Sequence, residues 1–281
     1  MNEKRLISIL QITCIALLVG WAWGHWEKGG PYRAFFYDDF IASGFVEQVL
    51  GIPWGDFLSD VAIAYKIKWF GQGIGIYFLL SAIVIALMDR FPKRLINFVL
   101  WSDFFLLVFV AFCKYVDKGW VAGQFFEYAA QFCSPLFLYA IYYKKWSFPR
   151  AVFFMKVAVA LTFICHGLYA MGYYPRPGYF VDMTIQGFGI QEANAIKVLN
   201  LAGYLDVLFS IGLFVPWTWL YRASLYYCIT WGLLTAMARI VSNVHSDIFW
   251  YSLNQWLPET LYRFPHFMLP ALLLLMWKMK K

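Results

Sequence analysis

Charge is what this chain has least of. Only 14% of its 281 residues are Asp, Glu, Lys or Arg, against roughly a quarter in a soluble domain, so it cannot cover a water-soluble fold of this size with solvated side chains. Histidine is scarcer still, at 4 residues, and any imidazole chemistry must draw on His25, His166, His245 or His266. The five cysteines, Cys14, Cys113, Cys133, Cys165 and Cys228, all lie in apolar stretches without CxxC spacing. That pattern indicates neither a disulfide framework nor a thiolate metal site, and the thiols read as small buried hydrophobes. A nucleophile elbow, a phosphate-binding glycine loop and an HExxH motif are also missing. The glycine run Gly71-Gln72-Gly73-Ile74-Gly75 opens an apolar segment and reads as close helix packing. Met1 at the start predicts no cleaved signal peptide, and Cys14 lacks the small residue before it that a lipoprotein site needs.

In place of charge there is apolar and aromatic surface. Hydrophobic residues make up 62% and aromatics 22% of the chain, with a mean hydropathy of +0.60, so the expected solvent is a bilayer. A net charge of +7 can signal nucleic acid, but here Lys and Arg are spread over short loops between apolar runs. That is a topology signal, and no nucleic-acid partner is expected.

The fold expected is all-α: one integral membrane domain of about eight transmembrane helices. Leu6–Gly24 is long enough to cross a hydrocarbon core of about 30 Å at about 1.5 Å per residue. Further spans are read at Gly73–Met88, Leu95–Cys113, about Gln124–Tyr143, Ala151–Met171, about Ala195–Val215, Tyr221–Val241 and about Arg263–Trp277. Between the first two, His25–Gln72 is too polar to span yet rich in aromatics. Its Trp54–Trp69 part repeats apolar residues at three and four, which predicts interfacial amphipathic helices. Thr184–Asn194 reads as an amphipathic approach to the sixth span. The N-terminal lead, the Arg90 loop, the Lys144 loop, the Arg222 turn and the C-terminal tail are basic, so the positive-inside rule places both termini in the cytoplasm. Halves 1–150 and 151–281 share an outline: a span ending in His, a Pro-Arg-aromatic-Asp loop, an amphipathic segment and three more spans. A parallel repeat of four plus four spans would produce it.

With that orientation all four histidines fall at the outer face. Arg33, Arg176, Arg239 and Arg263 lie at the same level, with Asp38, Asp39, Asp182, Asp247 and Glu259. A charge at the bilayer centre costs about 2.5 to 3.5 kcal/mol on insertion scales and less near the surface, so such residues usually pair or line a cavity. The expectation is an outward-opening polar pocket roofed by the first loop and by His166–Asp182. A single interfacial Arg is equally read as snorkelling to headgroups, and a lone helix histidine as a satisfied structural group. Asp103 and Asp206 sit inside spans, where a carboxylate is protonated or paired; a structural hydrogen bond and a proton path are both open.

The hydropathy pattern and the stretches His166–Asp182 and Tyr262-Arg263-Phe264-Pro265-His266 resemble the DoxX-like group of bacterial membrane proteins, over most of the chain but at twice the usual length. The resemblance implies the bacterial inner membrane and a quinone-linked redox setting. On the residues, the first reading is a site for a quinone or lipid-like ligand. His166 and His266 would be its hydrogen-bond or proton-transfer groups, which suits imidazole. Arg176 and Arg263 would bind oxygen or phosphate, Tyr37, Tyr173 and Tyr179 would wall it, and His25, Arg33, Asp38, Asp182, Arg239 and His245 would complete it. A second reading is a non-catalytic subunit of an envelope complex, its aromatic outer loops docking a protein partner. A third is bis-histidine haem on His166 and His266, which needs the two Nε2 atoms about 4 Å apart across an iron, each about 2 Å from it. Transport fits the inner carboxylates, but no Gly/Pro-interrupted pair of spans is evident.

Overall fold

The computed structural model describes residues 3–279. Every regular element among them is helical. Six helices are long and apolar enough to cross a membrane: α1 (Glu3–Lys28), α5 (Val61–Ala86), α6 (Lys93–Asp117), α9 (Phe148–Met171), α11 (Glu192–Gly212) and α12 (Thr218–Asn243). The expected fourth span is broken in two, α7 (Ala122–Phe126) and α8 (Ala129–Tyr142), while the expected eighth corresponds to α14 (Phe264–Met279), preceded by a further helix, α13 (Phe249–Tyr262), with Arg263 alone between the two. Short helices α2 (Tyr32–Phe36), α3 (Gly44–Gln48) and α4 (Trp54–Ser59) occupy the stretch between α1 and α5, and α10 (Gly178–Phe188) follows α9.

Several expected boundaries move. The segment Trp54–Trp69 is not one amphipathic unit: its second part belongs to α5. The cause is Asp60, whose carboxylate accepts the Ala62 amide at 2.7 Å and so starts a new helix. That helix runs unbroken through Gly71, Gly73 and Gly75 because it lies directly on α1. A Cβ at Gly71 would meet the Gly29 carbonyl oxygen at 1.7 Å, so only glycine allows the approach. The loop read over His166–Asp182 is shorter than expected, since α10 starts at Gly178, and Gly189, at φ 63°, ends it before α11. Two helix pairs are interrupted, α7–α8 and α13–α14, only one of them at a proline. Pro265 lacks an amide hydrogen and its ring would strike the Leu261 carbonyl, so the last helix restarts there. At Glu127–Tyr128 no proline marks the break; the Thr162 hydroxyl of α9 accepts the Ala130 amide at 3.0 Å instead, satisfying a donor the interruption frees.

α1 packs on α5 much as α9 packs on α11, the second pair also through glycine: a Cβ on Gly203 would lie 2.6 Å from the Gly167 carbonyl oxygen. α6 lies along α8, and α12 along α14. The groups interlock, with α1 against α13 and α14, and α9 against α7 and α8. Trp21 joins them by donating to Gln131 Oε1 at 2.9 Å and stacking on Tyr262 at 4.4 Å. At one end, Lys144 pairs with Glu3 at 3.2 Å, which sets the start of α1 beside the start of α9. The functional candidates collect toward the other end, where the two helix breaks face each other.

Candidate functional site

Glu127 sits in the α7–α8 break and Arg263 in the α13–α14 break, both buried. His166, near the end of α9, is caught between them: its Nε2 lies 3.2 Å from Glu127 Oε1 and 3.0 Å from Arg263 Nη1, and Arg263 Nη2 is 3.6 Å from the same Glu127 oxygen. Guanidinium can only donate, so Arg263 Nη1 calls for a bare lone pair on Nε2. The carboxylate oxygen at 3.2 Å calls for a proton on that same nitrogen, unless Glu127 carries it. The triad therefore offers one proton two adjacent seats, Glu127 Oε1 and His166 Nε2.

Beside the triad is a cavity of about 360 Å³ between α9, α10, α11 and α12, with His266 of α14 in its wall. The size falls within the range of small-molecule sites, and an apolar wall with a few convergent polar groups is their usual form. Here Phe163, Phe180, Leu199 and Leu234 supply the apolar wall, and His166, His266, Arg239 and Asp206 the polar groups. The His166 and His266 rings lie 5.6 Å apart at 69°, and Phe180 stacks 6.0 Å from His166. Asp206 accepts the Tyr227 hydroxyl at 2.8 Å. Arg239 donates to Glu259 at 3.2 Å and to the Thr235 carbonyl at 2.7 Å. Three groups stay unsatisfied: Arg239 Nη2, Arg263 Nε and both ring nitrogens of His266 are buried with no partner at hydrogen-bonding geometry among the described residues. Leaving such groups unpaired costs about 1 to 3 kcal/mol each, and of the three Arg239 and His266 line the cavity, where a ligand oxygen would find a waiting donor. On the lipid-facing side Phe188, Leu234 and Val241 line the cavity while at least half exposed, so its mouth is apolar.

Glu259, on α13, continues the polar chain outward to Lys28 at 3.4 Å. Burial pushes the Glu259 carboxyl up, but Arg239, Arg263 and Lys28 together outweigh it and hold the group below its ordinary value.

Of the residues singled out in the sequence, His166, His266, Arg239 and Asp206 line the cavity, and Arg263 stands behind it against His166. The others do not line the cavity. His25 is sealed at the end of α1, its Nδ1 2.7 Å from the Trp21 carbonyl and its Nε2 2.7 Å from the Tyr32 hydroxyl. Arg33 lies over Tyr37 at 5.9 Å, and Asp38 caps the turn at Ile41 at 3.1 Å. Arg176 closes the end of α9 by donating to the Ala170 carbonyl at 2.9 Å and to Asn200 Oδ1 at 2.6 Å, a structural task that takes it out of the pocket. Tyr173, Asp182 and His245 are exposed. Asp103 is buried on α6, with Ser81 and Tyr77 beside it but none of them at hydrogen-bonding geometry. The expectation of a single chamber enclosed by the ends of spans one, five, seven and eight is thus corrected: span one contributes a sealed histidine, because Tyr32 fills the space next to it.

Glu127 escapes notice in the sequence because it falls near the expected start of the fourth span, where a carboxylate reads as interfacial. The desolvation reasoning applied to Asp103 and Asp206 would have singled it out. Bis-histidine haem does not fit these residues: His166 Nε2 faces Arg263 and Glu127 at contact distance, where an iron and its macrocycle would have to stand. Among the described residues no cluster of three or more His, Cys, Asp or Glu is arranged to hold a metal ion. No protein-family model, no curated protein and no solved structure matches the chain.

Proposed function

We propose that the chain is a bacterial inner-membrane protein whose outer half binds a quinone or lipid-like molecule in the cavity beside His166 and His266. The observation that carries this is the cavity itself, apolar at its mouth and lined by unsatisfied nitrogens on Arg239 and His266. A ligand with that complementarity has a hydrocarbon tail and a compact head bearing hydrogen-bond acceptors. The Glu127–His166 pair would exchange a proton with such a head, as a redox-linked quinone requires, and the resemblance to DoxX-like proteins points the same way. We read the frame as eight crossings, counting the interrupted α7–α8 as the fourth and α14 as the eighth. Basic residues at the Glu3–Lys144 end support cytoplasmic termini. The matching packing of α1 on α5 and α9 on α11, and of α6 on α8 and α12 on α14, supports a parallel repeat.

The test titrates purified protein in detergent with short-chain quinones and, separately, with phosphatidylethanolamine. A rise of a few degrees in Tm is expected from the true ligand class, because binding to the folded state alone stabilises it. His166→Ala should abolish the response. Ala202→Phe, which fills the cavity without touching the triad, should do the same and guards against misfolding of the first variant. No shift with either class would sink the reading.

Exposed aromatics at the outer end, Phe40, Trp250 and Tyr251 among them, favour a second reading as a scaffold docking an envelope partner. A stoichiometric protein co-purifying in mild detergent would support it, and a monodisperse chain alone would count against it.

A further inference from the structure

Asp103 is the buried acid that the His166 cavity leaves unused. It lies ten residues along α6 from Lys93, about 15 Å into the span at about 1.5 Å per residue, and is 0% exposed. Both of its carboxylate oxygens lack a hydrogen-bond partner. So do two hydroxyls of α5, Ser81 Oγ and Tyr77 Oη, which are buried beside it and beside each other. Tyr77 and Ser81 are four residues apart and so share one face of their helix. Four oxygens from two helices converge there, and none is satisfied.

The other acids buried in this protein are answered: Glu127 by Arg263, and Asp206 by the Tyr227 hydroxyl at 2.8 Å. Among the described residues no Lys, Arg or His stands near enough to Asp103 to offset its charge. A carboxylate left so within a bilayer is costly, and one positive charge would cancel it. Water could satisfy the hydroxyls but would leave the charge. A proton would remove the charge, yet no oxygen of the group stands at hydrogen-bonding geometry to another, so the acid would have no hydroxyl here to donate to. An ion placed among them takes lone pairs from all four. Oxygen-only donors suit a hard cation, and a single carboxylate balances a monovalent one, whereas a divalent ion gathers several. K+ sites are built from rings of backbone carbonyls, which the unbroken helices α5 and α6 keep for their own hydrogen bonds. That leaves Na+, whose sites in membrane proteins lie near the bilayer midplane.

We infer that Tyr77, Ser81 and Asp103 bind one Na+ between α5 and α6. The site does not depend on what occupies the His166 cavity.

The test measures binding of radioactive sodium to purified protein in detergent, and follows Tm as NaCl replaces choline chloride at constant ionic strength. One Na+ per chain should bind saturably and raise Tm by a few degrees, because binding to the folded state alone stabilises it. Asp103→Asn keeps the shape and removes the charge, so it should fold at least as stably as the wild type in choline and bind no Na+. Ser81→Ala should weaken binding several-fold. Asp117→Asn, which neutralises an exposed carboxylate at the end of α6, should leave binding unchanged, as should Ala202→Phe, which fills the outer cavity. If Asp103→Asn fails to fold, Ser81→Ala decides, and an unchanged sodium affinity in it overturns the inference. Sodium bound equally by Asp103→Asn overturns it too, as does a Tm rise of the same size in KCl. Stabilisation by acid with no sodium bound would make Asp103 a plain protonated acid and end the proposal.

Discussion

His25 and His166 both lie in the last turns of long helices, α1 and α9, yet one is buried in a solid core and the other borders a cavity. Around His25 the neighbours are large: Tyr32 meets its Nε2 at 2.7 Å, and Phe78 packs edge-on at 5.5 Å. Tyr32 is itself packed between Phe70 and Phe109. With the proton on Nδ1 donated to the Trp21 carbonyl, Nε2 accepts the Tyr32 hydroxyl, and one neutral tautomer satisfies everything. Around the second site the positions facing inward from α9, α11 and α12 include Ala170, Ala202 and Ala238. Small side chains there leave space that interiors normally fill. The same helix frame is thus solid or hollow according to side-chain volume at a few positions, and the hollow half carries the unpaired nitrogens.

The largest effect expected falls on the contact between the halves. Glu127→Ala leaves Arg263 buried without its carboxylate, and unfolding in detergent should show a loss of about 3 to 5 kcal/mol. A loss below about 1 kcal/mol would mean that the pair does not hold the two helix breaks together. Next comes the solid half. His25→Ala removes a packed ring and strands the Tyr32 hydroxyl, for about 2 to 4 kcal/mol, while ligand-induced stabilisation at the second site stays intact. If that response vanished too, the two halves would not be separate.

His266→Leu should behave in the opposite way. It trades two unsatisfied nitrogens for apolar volume, so stability is expected to change by no more than about 1 kcal/mol, while the ligand response disappears. A large destabilisation would show that His266 is a structural residue like His25. The smallest effect is on pH dependence. Glu259 is held below its ordinary value of 4.5, so its contribution to stability is complete above that value and is lost as pH falls through the lower folded value. Glu259→Gln should flatten this acid limb of the unfolding curve, and an unchanged limb would remove Glu259 from the network.

Much of the frame was legible because long apolar runs have few alternatives in a bilayer. Leu6–Gly24 and Ala151–Met171 fall within α1 and α9, and the pairing of His166 with His266 followed from two imidazoles at one helix depth. Arg176 misled for a local reason: an Arg after a Pro-rich loop has the same look whether it binds a ligand or caps the helix before it, and only the positions of the Ala170 carbonyl and Asn200 distinguish the two. The break at Glu127 was hidden because its compensation, the Thr162 hydroxyl, comes from another helix.

From the chain alone came the apolar helical bundle and the choice of titratable residues, because burying charge is costly at any position and that cost is written in composition and spacing. Tertiary structure alone decided which of those residues share a space, which are sealed and where the hollow lies. These depend on the volumes of side chains from distant helices, such as Tyr32 against Phe109 and Ala202 against Ala238, and no periodicity along the chain encodes that meeting.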